Sequence, residues 1–144
     1  MKILVLNGPN LNLLGIREPD IYGKKTYKDL IETIEKTARE LEISVDCFQS
    51  NHEGDLVDQI GAAYGVYDGI VINPAAYTHT SIAILDALKA VALPAVEVHL
   101  SQVSEREDFR QRSFAGMACL CTYMGLGFDG YTNALRFLKD YLTK

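Results

Sequence analysis

Short apolar runs alternate with segments of helical spacing along this chain. Five runs have the length of β-strands, and Val, Ile and Leu dominate the first, third and fourth of them: residues 3–6, 43–48, 69–72, 95–98 and 118–123. Continuous apolar runs of this length are typical of parallel strands that are buried on both faces. The pattern therefore predicts a sheet whose strands are connected by helices.

Four other segments have the spacing of amphipathic helices. The first carries apolar residues at Leu30, Ile31, Ile34, Ala38 and Leu41, and the others cover roughly residues 53–64, 81–92 and 131–142. Thr26, with Asp29 three residues later, predicts an N-cap and a capping box for the first helix. Ser81 is the predicted N-cap of the third.

The alternation of strands and helices predicts one domain, residues 1–144, with an open and mostly parallel five-stranded sheet covered by helices on both faces. The expected strand order is the flavodoxin-like 2-1-3-4-5. In such a doubly wound sheet, ligands bind outside the carboxyl ends of the strands, where the strand order reverses. Candidate functional residues are therefore those that follow each strand.

Composition and charge exclude several classes of partner. Hydrophobic residues make up 48% and charged residues 23% of the chain, which favours a folded core over disorder. The formal net charge of -5 argues against nucleic acid or an anionic membrane as the main partner. Apolar runs are far shorter than the roughly 20 residues of a membrane span, and the first is too short for a signal peptide.

The three cysteines, Cys47, Cys119 and Cys121, are odd in number and form no CxxC pair. This argues against a disulfide framework and against a zinc site, so reduced cysteines in the cytoplasm are expected. On a strand, Cys119 and Cys121 would share one face.

Polar residues that could take part in catalysis or ligand binding follow the first, third and fourth strands. Residues 7–23 form a loop that is long for a strand-to-helix connection. It contains neither the dinucleotide-binding GxGxxG pattern nor the Gly-Lys-Ser/Thr sequence that ends a phosphate-binding P-loop. Asn73 and His79 follow the third strand. Glu97 and His99 lie two residues apart on the fourth, so the carboxylate can orient the imidazole and raise its pKa, although a surface ion pair is the alternative.

Further along lie Arg106 and Arg110, four residues apart, which would fall on one face of a helix. Arginine suits a bidentate grip on a carboxylate, although a solvated surface helix is the alternative interpretation.

Together these segments resemble the type II dehydroquinase (3-dehydroquinate dehydratase) family from residue 3 to about residue 138. The matching motifs occur in the same order and at similar spacing: Asn7-Gly8-Pro9-Asn10-Leu11, Arg17-Glu18-Pro19, Ile21-Tyr22-Gly23, residues 49–54, Asn73-Pro74, residues 78–81, residues 97–101, Arg106-Glu107, Phe109-Arg110 and Gly125-Leu126-Gly127. The resemblance implies a hydro-lyase that converts 3-dehydroquinate to 3-dehydroshikimate by anti elimination through an enolate, in the shikimate or quinate pathway.

The resemblance also implies roles for individual residues. Tyr22 would be the base, with Arg17 as the counter-charge that lowers the pKa of a phenol. His99, oriented by Glu97, would protonate the departing hydroxyl, and Asn73 would stabilise the enolate through a water. The implied substrate-binding residues are Asn10, Asn73, His79, Asp86, Leu100, Ser101 and Arg110. Neither a metal nor a cofactor is expected.

Assembly is expected as well. The third helix is apolar in nearly every direction, so its outer side is predicted to contact protein. The family resemblance implies trimers that form a homododecamer, with Asp86 reaching the His79 and Arg110 region of another subunit. Leu85, where the family usually has arginine, would make that interface more apolar.

Other positions depart from the family pattern. Ala75 replaces a common glycine, Gln102 replaces a common asparagine, and residues 116–124 are atypical. The alternative function is a non-catalytic flavodoxin-like binding module, although the first loop lacks both the paired acids of a receiver domain and the phosphate loop of a flavin binder.

Overall fold

Five parallel strands form the sheet in the order β2-β1-β3-β4-β5, which confirms the predicted order. The computed structural model describes residues 1–16, 20 and 24–144. The strands are β1 (Lys2–Asn7), β2 (Ser44–Gln49), β3 (Gly69–Asn73), β4 (Ala95–His99) and β5 (Cys121–Met124). Because β1 lies between β2 and β3, the chain reverses its direction of travel across the sheet there, and this creates a switch point at the carboxyl ends of β1 and β3.

The helices begin and end close to the predicted positions. They are α1 (Tyr27–Leu41), α2 (Glu53–Ala63), α3 (Ile82–Val91) and α4 (Asp129–Leu142). The hydroxyl of Thr26 accepts from the backbone of Asp29, whose carboxylate accepts from the backbone of Thr26, so the predicted capping box is present. Ser81 caps α3 as predicted. In the described part of the chain, no helix is long and apolar enough to cross a bilayer.

Two hydrophobic clusters lie on opposite faces of the sheet. Alternate residues of β1 divide between them, since Ile3 and Val5 pack towards α1 and α4, whereas Leu4 and Leu6 pack towards α2 and α3. β1, β3 and β4 are buried almost throughout, while β2 lies at an edge and is partly exposed. The three strands whose sequences are continuously apolar are therefore the central ones, and they place their carboxyl ends side by side.

The fifth strand begins later than predicted. The apolar run 118–123 predicted a strand, but residues Ala115–Ala118 form a 3-10 helix and β5 starts at Cys121. The hydroxyl of Ser113 accepts from the backbone N–H of Gly116, and this side-chain contact turns the chain before the strand. The expectation that Cys119 and Cys121 share a face is therefore wrong, because they pack against opposite clusters.

The outer face of α3 combines apolar and charged residues. Ile82 is 55% exposed, and Ala83, Asp86, Lys89 and Ala90 are exposed beside it. Leu85 is only 7% exposed and is already buried within its own chain. The expectation that leucine in place of the usual arginine makes a subunit interface more apolar stays a prediction.

Candidate active site

A cleft opens at the carboxyl ends of β1, β3 and β4, where the switch point predicts a ligand site. Residues from the loops that follow these three strands line it: Pro9, Asn10, Leu11, Asn73, Ala75, Ala76, His79, His99, Leu100, Ser101, Val103, Arg106 and Arg110. Amide, imidazole, hydroxyl and guanidinium groups thus converge on one space beside the ends of the strands. This combination suits a small polar ligand that carries negative charge.

The structure brings together most of the residues predicted for the site. Seven of them line the cleft directly: Asn10, Asn73, His79, His99, Leu100, Ser101 and Arg110. Glu97 lies behind His99, whereas Asp86 lies on the exposed side of α3 and does not line the cleft of its own chain. Arg17 and Tyr22 lie outside the described residues.

Glu97 and His99 form a buried pair at the end of β4. Their two-residue spacing places both side chains on one face of the strand, and Nε2 of His99 lies 3.3 Å from Oε2 of Glu97. The side chains are 7% and 2% exposed, so the alternative of a surface ion pair is wrong. Because Nε2 faces the carboxylate, Nδ1 is the ring nitrogen left to serve a ligand in the cleft.

The Glu97 carboxylate is held from three directions. Besides the His99 contact, Oε2 accepts a 2.6 Å hydrogen bond from Ser113, and Oε1 accepts a 2.9 Å bond from Thr122. Burial raises the pKa of the Glu97 carboxyl, but the interactions with His99, Ser113 and Thr122 outweigh it and hold that pKa below its ordinary value. The site therefore keeps a negative charge behind His99.

Asn73 ends β3 with its side-chain amide in a defined orientation. Its Oδ1 accepts from the backbone N–H of Ala75 at 3.1 Å, and its Nδ2 donates to the hydroxyl of Tyr131 at 2.9 Å. A primary amide has two N–H groups, so one remains to serve the cleft. The bond from the Ala75 N–H to the Asn73 side chain forms a turn at Asn73-Pro74.

The loops after β1 and β3 approach each other closely at Gly8. The backbone N–H of Gly8 donates to the carbonyl of Asn73 at 2.8 Å, and a Cβ at Gly8 would lie 2.5 Å from the carbonyl oxygen of Pro74. Only glycine therefore fits there. Ala75, which lines the cleft, has a φ of 52°, and this left-handed conformation explains why glycine is common at its position.

Asn10 is anchored by residues at the end of β2. It has a left-handed φ of 69°, which asparagine tolerates better than most residues, and its backbone N–H donates to Oδ1 of Asn51 at 3.0 Å. Nε2 of Gln49 donates to the same oxygen and to the carbonyl of Gly8. β2 thus fixes the start of the first loop even though it contributes no residue to the cleft wall described above.

His79 presents one nitrogen to a backbone carbonyl. Its Nδ1 lies 2.8 Å from the carbonyl oxygen of Arg112, which is an acceptor only, so Nδ1 carries the proton and donates. Burial lowers the pKa of His79, and the nearby Arg110 guanidinium contributes in the same direction. A neutral His79 therefore keeps Nε2 as a hydrogen-bond acceptor.

Two guanidinium groups lie on the wall formed by the loop after β4. Arg106 and Arg110 both contact the exposed Glu107, through Nε at 3.8 Å and 3.0 Å respectively. The prediction that the two arginines share one face of a helix is wrong, because Asp108–Arg110 is only a 3-10 helix and Arg106 has an extended backbone. The Gln111 side chain donates to three carbonyls of this loop, which replaces the backbone bonds of a longer helix.

Sequence reasoning did not find several residues that shape the site. Ser113 and Thr122 bond Glu97 from distant segments, and Tyr131 bonds Asn73 from α4. Arg106, by contrast, was predicted together with Arg110 as a possible grip on a carboxylate, and it lines the cleft. The other three carry no local pattern that distinguishes them from ordinary polar residues.

An open α/β sheet with a buried carboxylate–imidazole pair, an oriented amide and guanidinium groups at its switch point defines an enzyme equipped for acid–base chemistry on a small anionic molecule. A model of the family described as dehydroquinase class II matches residues 1–139. The chain belongs to the class II dehydroquinase family. Its activity is that of a type II 3-dehydroquinate dehydratase, and the alternative of a non-catalytic binding module is not supported.

Relatives match over essentially the whole chain. The 3-dehydroquinate dehydratase of Geotalea daltonii is 54% identical over 144 residues, which is 100% of both chains. The crystal structure of type II dehydroquinase from Butyrivibrio crossotus has a TM-score of 0.94 at 51% identity, covering 96% of this chain and 97% of that one. The type II dehydroquinase of Propionibacterium acnes gives a TM-score of 0.93 at 43% identity, with 96% of each chain covered. The predicted family and fold are thus confirmed.

Proposed function

We propose that the cleft binds 3-dehydroquinate and eliminates water from it by anti elimination through an enolate, giving 3-dehydroshikimate for the shikimate pathway without a metal or cofactor. The observation that carries this proposal is the buried Glu97–His99 pair at the end of β4, with His99 lining a cleft shared by Asn73 and Arg110. These groups supply an acid, an enolate stabiliser and a carboxylate clamp within one space.

His99 is the proposed acid. The leaving hydroxyl takes a proton from the His99 imidazolium and departs as water while the electron pair of the enolate forms the new carbon–carbon double bond. The contact between the Glu97 carboxylate and Nε2 orients the ring and identifies Nδ1 as the donor to the substrate. Because the side chains of Glu97 and His99 are almost inaccessible to solvent, the electrostatic attraction between them is weakly screened.

Asn73 is the proposed enolate stabiliser. Tyr131 and Ala75 hold the amide from two sides, so the remaining N–H is preorganised before substrate arrives. Through an intervening water, it would donate to the oxygen that gains negative charge as the α-proton leaves. A donor held in advance costs little reorganisation during the reaction, which is why such groups lower a barrier effectively.

Binding groups for the rest of the substrate surround this centre. Arg110, with the hydroxyl of Ser101 and the backbone at Leu100, is proposed to hold the ring carboxylate. The 3.0 Å contact between Nε of Arg110 and Glu107 fixes the guanidinium from its outer side. Asn10 and His79 are proposed to bind ring hydroxyls, and a neutral His79 can accept from one through Nε2.

Tyr22 is the proposed base and Arg17 its counter-charge. Both lie outside the described residues, and the proposal for them rests on the family motif that they complete. The α-proton would pass to the Tyr22 phenolate, which the positive charge of Arg17 stabilises relative to the neutral phenol. With the proton that His99 gives to the hydroxyl, atoms and charges balance over the elimination.

Assembly into a homododecamer of trimers is proposed as well. The exposed Ile82, Ala83 and Ala90 give α3 an outer surface that favours contact with protein, and Asp86 projects from that same exposed side. Asp86 is proposed to enter the substrate site of a neighbouring subunit. The three free cysteines are in keeping with a proposed location in the reducing cytoplasm.

The decisive experiment follows the ultraviolet absorbance of the conjugated product after 3-dehydroquinate is mixed with the protein. The proposal expects absorbance to rise catalytically, equally with and without EDTA, and to be lost in His99→Ala. A matched control is His52→Ala, because His52 is an exposed residue that does not line the cleft. Binding of substrate without any rise in absorbance would overturn the proposal in favour of a binding module, and a His99→Ala variant with wild-type turnover would overturn the assignment of the acid.

A further inference from the structure

A buried chain of hydrogen bonds runs from the cleft into the core. Nδ2 of Asn73 donates to the Tyr131 hydroxyl at 2.9 Å, and that hydroxyl donates to Oδ1 of Asn7 at 2.7 Å. Nδ2 of Asn7 then lies 3.3 Å from the hydroxyl of Tyr27 at the start of α1. Asn7 and Tyr131 are completely buried and Asn73 is 3% exposed, so these groups depend on one another for hydrogen bonds.

One backbone group sets the direction of every bond in this chain. The N–H of Ala75 can only donate, so the Asn73 atom facing it must be Oδ1, and Nδ2 must face Tyr131. The Tyr131 oxygen therefore accepts from Asn73 and turns its own proton towards Asn7. Burial raises the pKa of the Tyr131 phenol, which keeps that proton in place. Bonds aligned in one direction polarise and strengthen each other.

We propose that Tyr131 is a positioning residue for the dehydration, which fixes the Asn73 amide so that its second N–H points at the enolate site. The inference rests on the enolate-stabilising role proposed above for Asn73. Tyr131 does not line the cleft and acts only through Asn73. The amide is held at Oδ1 by Ala75 and at Nδ2 by Tyr131, and two contacts are needed to fix both its rotation and its flip state.

Tyr131→Phe is the variant that tests this role. It keeps the aromatic ring in the core but removes the hydroxyl that accepts from a buried N–H of Asn73. Because an unsatisfied buried N–H is costly, the amide should rotate towards another acceptor. Loss of a preorganised donor lowers kcat by about 100-fold or more, so imperfect positioning should lower kcat by about 10-fold. KM should change by less than about 3-fold, because the donor acts mainly on charge that develops in the transition state.

The decisive measurement is a double-mutant cycle. If Tyr131 acts through Asn73, then Tyr131→Phe should have no further effect on kcat in an Asn73→Ala background. Asn7→Ala supplies a second variant that removes the acceptor of the Tyr131 proton without touching Asn73. It should lower kcat by a smaller factor, and it too should be silent in the Asn73→Ala background, whether or not Tyr131→Phe folds well.

Thr37→Val is the matched control for lost stability. The Thr37 hydroxyl is also buried and lies 3.2 Å from that of Thr132 on α4, the helix that carries Tyr131, but it is remote from the cleft wall. It should lower the melting temperature and leave kcat at the wild-type value. Thermal melts of all variants then separate loss of stability from loss of positioning.

The outcomes are distinguishable. An equal fall in kcat on Tyr131→Phe in the wild-type and Asn73→Ala backgrounds, or no fall in either, would overturn the positioning role alone. Wild-type kcat in Asn73→Ala would overturn the proposed role of Asn73 and the positioning role with it. A fall of about 10-fold that disappears in the Asn73→Ala background, with Thr37→Val unaffected, supports the proposal.

Discussion

Nε2 of His99 lies 3.3 Å from Oε2 of Glu97 with both side chains almost completely removed from solvent. A buried carboxylate is costly unless it is paired and hydrogen-bonded, and Ser113 and Thr122 complete the set of donors around this one. The charge of Glu97 thereby stays beside the His99 ring. The same carboxylate therefore takes part in buried hydrogen bonds that stabilise the fold and contacts His99, the proposed acid of the reaction.

Replacement of Glu97 by Gln should lower kcat by roughly 100-fold while the protein remains folded. The amide keeps the size of the side chain but removes the carboxylate that contacts and orients the His99 ring. Steady-state kinetics on 3-dehydroquinate test this, with Glu105→Gln as a control because Glu105 is exposed. A Glu97→Gln enzyme with wild-type kcat would show that the carboxylate does not support the acid.

The same substitution should change how stability depends on pH. The pKa of Glu97 lies below its ordinary value of 4.5 in the folded chain, so the unfolded state binds more protons and the carboxylate stabilises the fold above that pH. This contribution is lost as the pH falls from 4.5 through the folded pKa. At pH 7, Glu97→Gln should cost about 1–3 kcal/mol, since an amide N–H would face a hydrogen-bond donor.

Chemical denaturation of wild type and Glu97→Gln between pH 7 and pH 3 measures this difference. The gap between their free energies of unfolding should narrow as the pH falls below about 4.5. A gap that stays constant over the whole range would mean that ionisation of Glu97 does not contribute to stability.

Local patterns predicted most of the fold. The apolar runs of β1, β3 and β4 and the capping box at Thr26 are encoded by neighbouring residues, so they can be found without knowledge of the rest of the chain. The Glu97–His99 pair was predictable for the same reason, because residues two apart on a strand share a face. The strand order followed from general rules for alternating strands and helices.

Contacts between distant segments explain what the patterns missed. Ser113 turns the chain by bonding both Glu97 and Gly116, so β5 starts only at Cys121, three residues into the apolar run that predicted it. Tyr131 lies 58 positions from Asn73, and its helical spacing in α4 indicates only a core residue. Burial of the Glu97–His99 pair likewise depends on packing that no local segment specifies.

Tyr22→Phe should abolish turnover and leave the fold intact, because a benzene ring cannot accept the α-proton. Arg17→Ala should be nearly as damaging, since the phenolate would lose its counter-charge. Both residues lie outside the described part of the chain, and kinetic assays with circular dichroism test the assignment directly. Tyr22→Phe with most of the wild-type rate would require another base.

Ala75→Gly should leave the protein as stable or make it more stable by up to about 1.5 kcal/mol. The φ of 52° at Ala75 costs an L-residue roughly 1–2 kcal/mol. The greater conformational freedom of glycine in the unfolded chain costs about 0.4–1 kcal/mol of stability in the opposite direction. Its exposed neighbour Ala76 is a matched control without a positive φ, and Ala76→Gly should destabilise by roughly 0.5–1 kcal/mol. Equal destabilisation in both variants, measured by denaturant unfolding, would contradict the argument.

The proposed assembly predicts that active sites are shared between subunits. Asp86 lies on the exposed side of α3 and away from the cleft of its own chain, so in a monomer it has no route to the substrate. Asp86→Ala and His99→Ala should each be nearly inactive as homo-oligomers. Light scattering of the wild type should give a particle about twelve times the chain mass of 16.0 kDa.

Mixing the two variants distinguishes a shared site from a merely structural role for Asp86. When Asp86→Ala and His99→Ala chains are unfolded and refolded together, some sites combine an intact His99 with an intact Asp86 from the neighbouring subunit, so part of the activity should return. The control is the same mixture combined without unfolding, which should remain inactive while subunits do not exchange. Absence of recovery in a mixed oligomer of normal size would mean that Asp86 does not act across the interface, and a fully active 16.0 kDa particle would exclude the shared site altogether.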